Sequence, residues 1–345
     1  MMSQASMATA SIKDGAVDVP PGKSAAHQMT AIGVRLGAYA VFAAILGYFA
    51  VFAPGFLSSF NIVNVVEQSA ILGVLAYGMT VVIIGGGSNV TEGGIDLSIA
   101  AAMGLCAAVY ASIIHAGYSD VAGVLAALAT GVVIGALNAI AVVGLGILPL
   151  LATLAVMNVV AGVELTFTQN TVVSATSPLT AWLIAGSFLG ISAMAWCLIV
   201  ASAAMLLFIH KTGLGLRLYA VGGHHEAARA AGISVPFYLS FSYIFSGFSA
   251  GVAAVLAVSR LSGSSPGAGE MLLSILAASL LGTVFSRRFV PTIGGTLLSV
   301  LFIGFLANGF QLLNVSSYWV NGVQGAMILL VVAATSFARG PETSR

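Results

Sequence analysis

Charge is scarce in this chain of 345 residues: only 6% are Asp, Glu, Lys or Arg, against about 25% in an ordinary soluble protein. Such a surface cannot face water in the usual way, which excludes a soluble globular fold. No basic stripe runs along the chain and its net charge is +1, so nothing indicates a nucleic-acid partner. Hydrophobic residues make up 59% of the chain, and the mean hydropathy is +1.08. The chain is therefore predicted to be solvated by lipid.

Cysteine is also scarce. Cys106 and Cys197 both lie in apolar stretches, at no metal-binding or redox spacing, and we interpret them as small core residues. No histidine belongs to a metal-ligand pattern. We therefore expect no catalytic residue, no metal site and no cofactor bound by this chain, and we do not expect an enzyme.

Long apolar runs are abundant after a polar tail at residues 1–30. About 20 helical residues cross a hydrocarbon core of roughly 30 Å. Backbone groups find no water in lipid, so the spans must be helices or a closed barrel, and the lack of alternation excludes a barrel. The sequence predicts an all-α membrane protein, a polytopic bundle of about ten transmembrane helices within a domain at 31–338, followed by a tail at 339–345. The predicted spans are 31–53, 62–84, 97–115, 121–143, 148–168, 190–210, 237–259, 271–286, 291–313 and 318–337.

Basic residues indicate the orientation of the spans. With ten spans and a cytoplasmic N-terminus, nine of the eleven Lys and Arg residues fall in cytoplasmic loops or tails, and Arg260 lies outside. The sequence therefore predicts that both termini and the loop at 211–236 are cytoplasmic.

A glycine-rich segment at 85–98 interrupts the apolar pattern with five glycines and two carboxylates. Asp96 or Ser98 could cap the helix that follows, which makes the segment a helix break with a cap. The segment could also be an irregular membrane-embedded stretch that lines a solute path, because transporters use broken helices in this way. The two interpretations are compatible, and the number of glycines favours the second. On this basis Asp96→Ala is expected to cut uptake while leaving membrane insertion intact.

The loop at 222–233 is rich in alanine and predicts a short helix, with Glu226 and Arg229 at i,i+3 spacing. Glycines at 222 and 223 should open this helix, and Gly232 should close it with a left-handed cap. So short a helix is marginal in water, so something should pack on its alanine face. That packing is either internal or, as we favour, the docking of a soluble partner. The residues assigned to this coupling loop are Gly223, Glu226, Ala227, Ala228, Arg229 and Gly232.

Neutral polar side chains inside the spans are candidates for contact with an uncharged solute, together with an aromatic or two. Each could equally be a hydrogen bond between helices. The predicted solute-path residues are the neutral Gln68, Ser98, Asn138, Thr153, Asn308 and Gln311 together with Asp96 of the glycine-rich segment, and Asn158 and Asn314 are further candidates.

A linear order of motifs from about residue 55 to residue 330 resembles the permease subunits of the ribose/xylose/arabinose class of ABC sugar importers. The chain departs from that pattern in the inserted stretch at 88–92 and in His224, which stands where an asparagine is usual. The motifs are Asn61-Ile-Val-Asn64, Glu67-Gln68-Ser69, Gly78-Met79-Thr80, Gly93-Gly94-Ile95-Asp96-Leu97-Ser98, Gly213-Leu214-Gly215, Glu226-Ala-Ala-Arg229-Ala-Ala-Gly232-Ile233, Ala257-Val-Ser-Arg260-Leu261-Ser262 and Gly304-Phe-Leu-Ala-Asn308-Gly309.

The resemblance implies a permease in the bacterial cytoplasmic (inner) membrane that moves a sugar or sugar-like solute. It also implies three kinds of partner. These are a second permease copy or a close paralogue, a cytoplasmic ATP-binding subunit that uses ATP and Mg, and a periplasmic solute-binding protein.

A stand-alone, ion-coupled secondary transporter is the alternative. Such carriers usually keep ionisable groups within their spans. Glu67 and Glu164 are the only carboxylates well inside the predicted spans, and the sequence suggests no charged partner for either. The pattern therefore favours the ATP-driven importer.

Overall fold

The computed structural model of the chain describes residues 25–87, 94–286 and 290–339. Helices dominate this part of the chain, and a π-helical turn at Ile140–Gly144 extends α4. The helices are α1 Ala25–Phe52, α2 Ser59–Gly86, α3 Ile99–His115, α4 Asp120–Ala139, α5 Pro149–Thr168, α6 Pro178–Ala185, α7 Ala193–Lys211, α8 Gly213–Gly223, α9 His225–Ala230, α10 Val235–Leu261, α11 Leu272–Val284, α12 Ile293–Leu312 and α13 Ser317–Arg339.

In the described part of the chain, four two-residue strands form two small antiparallel pairs between the helices. Strand β1 (Val173–Ser174) pairs with β4 (Gly263–Ser264), and β2 (Ser187–Phe188) pairs with β3 (Ile191–Ser192). A short 3-10 helix at Ala268–Met271 precedes α11. Strand β4 directly follows α10, so its pairing with β1 joins the end of α10 to the chain that follows α5.

Each of the ten predicted spans coincides with a helix. Among the described residues, six helices are long and apolar enough to cross a membrane: α2, α4 with its π-helical turn, α5, α7, α10 and α12. Four shorter apolar helical stretches account for the other predicted spans, at Leu36–Phe52, Ile99–His115, Leu272–Val284 and Tyr318–Val331. The helical membrane fold is thus confirmed, and the number of ten crossings stays a prediction.

Polar residues set where the long helices begin. The Ser58 hydroxyl accepts from the Asn61 amide at the start of α2 (3.2 Å), and Thr292 accepts from the Gly295 amide at the start of α12 (3.2 Å). Each side chain satisfies one of the amide protons that a helix leaves unpaired in its first turn. Pro149 begins α5, where its missing amide proton costs nothing.

Helices α4 and α10 cross with their backbones in contact. A Cβ on Gly131 would overlap the carbonyl oxygen of Gly247, and a Cβ on Gly247 would overlap that of Gly131. Gly135 and Gly251, one turn away on each helix, face the partner backbone as well. Such four-residue spacing of small residues lets two helices approach closely in lipid, where van der Waals packing replaces the hydrophobic effect.

Helix α2 forms the centre of the bundle, with 94% of its most apolar window buried. Two of its side chains fix it to its neighbours: the Tyr77 hydroxyl lies 2.6 Å from the Ser202 hydroxyl of α7, and the Thr80 hydroxyl lies 2.8 Å from the Thr296 hydroxyl of α12. Both contacts are buried. Helix α2 also contacts α3, α8, α10 and α11, and it connects the two ends of the molecule. We call these the Arg260 end, where α2 begins, and the Gly222 end, where α2 finishes.

Candidate solute path and coupling surface

Asp96 is at the centre of a buried hydrogen-bonded cluster. Its side chain is only 1% exposed. One carboxylate oxygen accepts from the Ser98 amide (3.0 Å), the Ser98 hydroxyl (2.6 Å) and the Asn138 amide group (3.2 Å). The other oxygen accepts from the Ser246 hydroxyl of α10 (2.6 Å). One carboxylate therefore joins the start of α3 to both α4 and α10.

The cluster brings together four of the seven predicted solute-path residues. Asn138 also donates to the Ser98 hydroxyl (2.7 Å), and Thr153 of α5 donates to the Ile95 carbonyl (3.3 Å). Asp96 accepts from the amide of Ser98, the residue immediately before α3, and Ser98 itself makes no side-chain cap bond. None of the four lines either of the two larger cavities described below. The inserted residues 88–92 lie outside the described part of the chain.

Asn308 forms a reciprocal amide pair with Asn61. The Asn61 amide group donates to the Asn308 side-chain oxygen (2.8 Å), and the Asn308 amide group donates back (2.9 Å). Both side chains are buried. Two matched hydrogen bonds between amides satisfy both groups in apolar surroundings. The pair fastens the start of α2 to the end of α12, so Asn308 holds these two helices together.

A cavity of about 670 Å³ opens between α2, α11, α12 and α13 near the Arg260 end. The predicted residues Gln68 and Gln311 line it, as does the candidate Asn314. None of the described residues that line it carries a charged or an aromatic side chain. Its polar lining is Gln68, Ser69, Ser274, Gln311, Asn314, Asn321 and Gln324, and its apolar lining is Leu72, Met271, Ile303, Gly304, Ala307, Val315 and Val320.

Sequence reasoning missed four polar residues of this cavity, Ser69, Ser274, Asn321 and Gln324. Asn321 and Gln324 are three residues apart in α13, which places them on one face of the helix. The Ser274 hydroxyl donates to the Gln324 side-chain oxygen (3.0 Å) and so links α11 to α13. The density of amide side chains between 311 and 324 was a usable signal, because apolar spans rarely carry four such groups so close together.

Arg260 forms a partly buried polar network beside the cavity. Its guanidinium lies 3.6 Å from the Glu67 carboxylate and donates to the Asn64 side-chain oxygen (2.9 Å). The Gln68 amide group donates to the same oxygen (3.3 Å). The expectation that Glu67 has no charged partner is therefore wrong, because Arg260 reaches it from α10 across a fold that sequence spacing does not show. For Glu164, which is also buried, the described residues show no ion pair.

At the opposite end, α9 is the short helix that the alanine-rich loop predicts. Glu226 and Arg229 form an ion pair on its surface (2.6 Å), and Gly232 adopts the left-handed conformation, with φ of +77°. The predicted opening is wrong, because Gly222 and Gly223 form the end of α8 instead. His224 opens α9, its ring Nδ1 accepting from the Ala227 amide (3.3 Å). An imidazole nitrogen thus takes the place of the usual capping oxygen.

One face of α9 packs on the protein itself. Ala228 is only 4% exposed and lies in an apolar cluster with Leu218, Val221 and Tyr238. The expectation that its methyl group meets a partner is therefore wrong, since neighbouring helices already cover it. Glu226, Ala227 and Arg229 are exposed on the other face, as are Gly223 and Gly232. Any partner of this loop has to contact that exposed face.

Helix α8 contacts the end of α2 through backbone atoms. A Cβ on Gly222 would overlap the Ile84 carbonyl oxygen, and a Cβ on Gly87 would lie 2.8 Å from the Gly222 carbonyl oxygen. A second cavity, of about 620 Å³, lies beside this contact and is lined in part by Tyr219. The Tyr219 hydroxyl donates to the Pro291 carbonyl (2.7 Å), and burial raises the pKa of Tyr219 to about 12. The phenol therefore remains a neutral donor at physiological pH.

The middle of α2 is closed between the two cavities. Tyr77, Met79, Thr80 and Val81 are each no more than 2% exposed. Close packing of this kind leaves no room for a solute between the ends. The structure therefore shows a cavity at each end of α2 and a sealed segment between them.

A Gly-x-Ser-x-Gly pattern, the sequence signature of a serine nucleophile elbow, occurs at 263–267. A nucleophile elbow needs the serine on a sharp turn from a strand into a helix. Here Ser264 ends the two-residue strand β4, and Ser265 is exposed with its hydroxyl against the Pro266 carbonyl (3.4 Å). The geometry of an elbow is therefore not present at these residues.

Residues 61–332 match the family described as branched-chain amino acid transport system / permease component. The ribose import permease protein RbsC of Escherichia coli (strain K12) is 34% identical over 285 residues, which cover 81% of this chain and 87% of that protein. RbsC of Bacillus subtilis (strain 168) is 34% identical over 282 residues, 81% of this chain and 85% of that protein. The L-arabinose ABC transporter permease protein AraH of Azospirillum brasilense is 30% identical over 306 residues, 88% of each chain. The chain belongs to this permease family, and the predicted resemblance is confirmed.

Proposed function

We propose that this chain is the transmembrane permease subunit of an ATP-binding cassette importer that carries an uncharged sugar or sugar-like solute across the bacterial cytoplasmic membrane. Its similarity to ribose and L-arabinose permeases supports an importer of this class. The uncharged lining of the cavity at the Arg260 end carries the choice of solute. Seven amide and hydroxyl side chains line it, and they match a solute with many hydroxyl groups.

The family description offers a second candidate, a branched-chain amino acid. That solute is a zwitterion, so a low-dielectric path has to compensate both an ammonium and a carboxylate group. No lining residue of the cavity carries charge. The nearby charges of Arg260 and Glu67 already face each other. The cavity therefore favours the sugar.

The ion-coupled alternative finds little support in the same network. A coupling carboxylate has to exchange its proton or cation during the cycle. Glu67 instead faces the guanidinium of Arg260 (3.6 Å), so its counter-charge comes from the protein itself. We therefore keep the ATP-driven importer as the proposal.

The predicted path residues take two roles in this proposal. Gln68 and Gln311 contact the solute, because both line the cavity. The Asp96 cluster (Asp96, Ser98, Asn138 and Thr153) and Asn308 hold the walls of the path in place, because their side chains bond neighbouring helices.

We place the Gly222 end in the cytoplasm, with both chain termini on the same side. Lys211, Arg217 and Arg229 lie at this end, and Arg260 lies at the other, which fits the positive-inside rule. The exposed face of α9 then docks the cytoplasmic ATP-binding subunit. The periplasmic solute-binding protein approaches the Arg260 end, and a second copy or a close paralogue completes the permease.

Copurification from the native host tests this assignment. The tagged chain should retain an ATPase subunit through detergent extraction, and Ala227→Glu on the exposed face of α9 should release it. Ala116→Glu is the matched control, because Ala116 is exposed at the other end of the molecule. If no ATPase copurifies with the wild type, the importer assignment is wrong.

Reconstitution of the purified complex with its solute-binding protein tests the solute. D-ribose or L-arabinose should raise ATP hydrolysis, and L-leucine should not. Stimulation by leucine alone would contradict the sugar assignment and favour the second candidate.

A further inference from the structure

Ser69 differs from the other buried serines of the long helices. Most of them donate to the backbone carbonyl four residues earlier, which satisfies the hydroxyl inside the helix. Ser69 is 2% exposed, but its hydroxyl has no hydrogen-bond partner among the described residues. The serines that follow the usual pattern are Ser202, Ser249, Ser259, Ser279 and Ser299.

The environment of Ser69 explains the direction of its hydroxyl. Ser69 lines the cavity at the Arg260 end, between Gln68 and Leu72 on the same helix. Its hydroxyl is close to Gly304 of α12, where an added Cβ would lie only 2.5 Å from the Ser69 oxygen. Any side chain at 304 would force Ser69 into another rotamer. Glycine at this position therefore keeps the hydroxyl at the cavity wall.

A buried hydroxyl without a partner is unfavourable unless something else binds it. The Ser69 hydroxyl can both donate and accept a hydrogen bond, so a solute hydroxyl or a water molecule in the cavity could bind it equally well. The surrounding lining selects between them, since amide groups from Gln68 and Gln311 and apolar surface from Leu72 and Ile303 face the same volume. Alternating polar and apolar surface matches the hydroxyl groups and C–H faces of a carbohydrate.

We propose that Ser69 is a solute-binding residue: when solute occupies the cavity, its hydroxyl, which is enclosed in this structure, binds one hydroxyl group of an uncharged monosaccharide or polyol, and the absence of a side chain at Gly304 leaves space for that hydroxyl. The proposal rests on the proposed function and adds to it a particular subsite. It makes a chemical prediction that the importer assignment alone does not make. One hydroxyl position of the solute is recognised by one side chain of the permease.

Saturation-transfer NMR on the purified full-length chain tests this subsite without a binding protein. The probes are D-ribose, L-arabinose and D-allose, with L-leucine as the negative control. Ser69→Ala should weaken binding about fivefold, the range expected for one lost hydrogen bond. Gly304→Ala should weaken it at least as much.

Two matched controls separate binding from folding. Ser279→Ala removes a buried hydroxyl that is already bonded to its own helix, on a helix beside the cavity. Gly294→Ala adds a methyl group to α12 at a position with nothing within 4 Å. Both should bind the sugars as the wild type does. Equal losses in Ser69→Ala and Ser279→Ala would overturn the proposal, as would the failure of all three sugars to bind the wild type.

Monodeoxy analogues of whichever sugar binds give a test that distinguishes solute binding from a purely structural role of Ser69. The measured quantity is the affinity of each analogue relative to the parent sugar. In the wild type, removing the hydroxyl that contacts Ser69 should weaken binding about fivefold. In Ser69→Ala that one analogue should bind as well as the parent sugar, while the other analogues keep their losses. If the affinity of every analogue relative to the parent sugar is the same in Ser69→Ala as in the wild type, the proposed subsite is wrong. ATPase copurification and ATP-driven uptake in the wild type would still support the importer in that case, so the two failures are distinguishable.

Discussion

Gly222→Ala tests whether α8 moves α2. The contact joins two backbones, since a methyl group at 222 would overlap the Ile84 carbonyl oxygen and also approach the Gly87 amide nitrogen (3.2 Å). A carbonyl in a helix cannot rotate aside as a flexible side chain can. The two helices therefore have to separate by roughly 1 Å or more before these atoms return to ordinary contact.

Overpacking of this kind costs typically about 1–3 kcal/mol, and a rigid backbone neighbour favours the upper part of that range. The exposed face of α9 lies outside the contact, so the ATP-binding subunit should still dock. We expect ATPase copurification and basal ATP hydrolysis to persist in Gly222→Ala, while ATP-driven sugar uptake falls about tenfold, which corresponds to 1.4 kcal/mol on the transition state.

Gly213→Ala is the control, because this glycine of the same helix has nothing within 4 Å of an added Cβ. The substitution is chemically identical and lies at the other end of α8. Uptake by Gly213→Ala should match the wild type. If Gly222→Ala transports as fast as Gly213→Ala, the contact between α8 and α2 does not transmit motion, and the reasoning fails.

Three further predictions concern polar contacts. Asp96→Ala should lower the free energy of unfolding of the detergent-solubilised chain by about 3 kcal/mol or more, because three of its four buried donors, all except Asn138, lose their partner. The same variant should also cut uptake. Asn158→Ala, at an exposed site bonded to its own helix, should change neither quantity. Glu67→Gln should leave uptake dependent on ATP and no more sensitive to pH, because Glu67 balances Arg260 rather than carrying ions; loss of all proton- or sodium-driven uptake would instead favour the secondary transporter. Tyr219→Phe should lower the free energy of unfolding by about 1 kcal/mol at any pH below 10. In the wild type, the stabilisation by the Tyr219 hydroxyl should be lost only as the pH rises through about 12, where the phenol ionises. Melting curves recorded over a series of pH values would show both effects.

The positions of the spans followed from the sequence because an apolar run of sufficient length has few alternatives in lipid. The predicted span at 62–84 lies within α2, and the predicted break near Asp96 separates α2 from α3. Local contacts in the coupling loop could also be predicted from the sequence, because the Glu226–Arg229 pair and the Gly232 cap depend on neighbours a few residues away.

Contacts between residues far apart in the chain could not be predicted from the sequence. Ser246 is 150 residues from Asp96, and Arg260 is 196 residues from Asn64. Serine and glycine are common in membrane spans, so neither Ser246 nor Ser69 differs in sequence from a residue that only packs. Only the crossing of the helices shows which hydroxyl joins a cluster and which one faces a cavity.

Helix α2 links the contacts at the two ends of the molecule. Its 28 residues extend about 42 Å at 1.5 Å per residue, enough to cross the bilayer core. Near its beginning it presents Gln68 and Ser69 to the cavity, and its last turn packs on Gly222 of α8. An α-helix is stiff over this length, and the buried middle of α2 is joined by side-chain bonds to α7 and α12. A displacement at the Gly222 end therefore has to move the cavity wall or break those bonds. In the proposed importer, ATP-driven closure at the Gly222 end and solute binding at the Arg260 end are therefore coupled through α2.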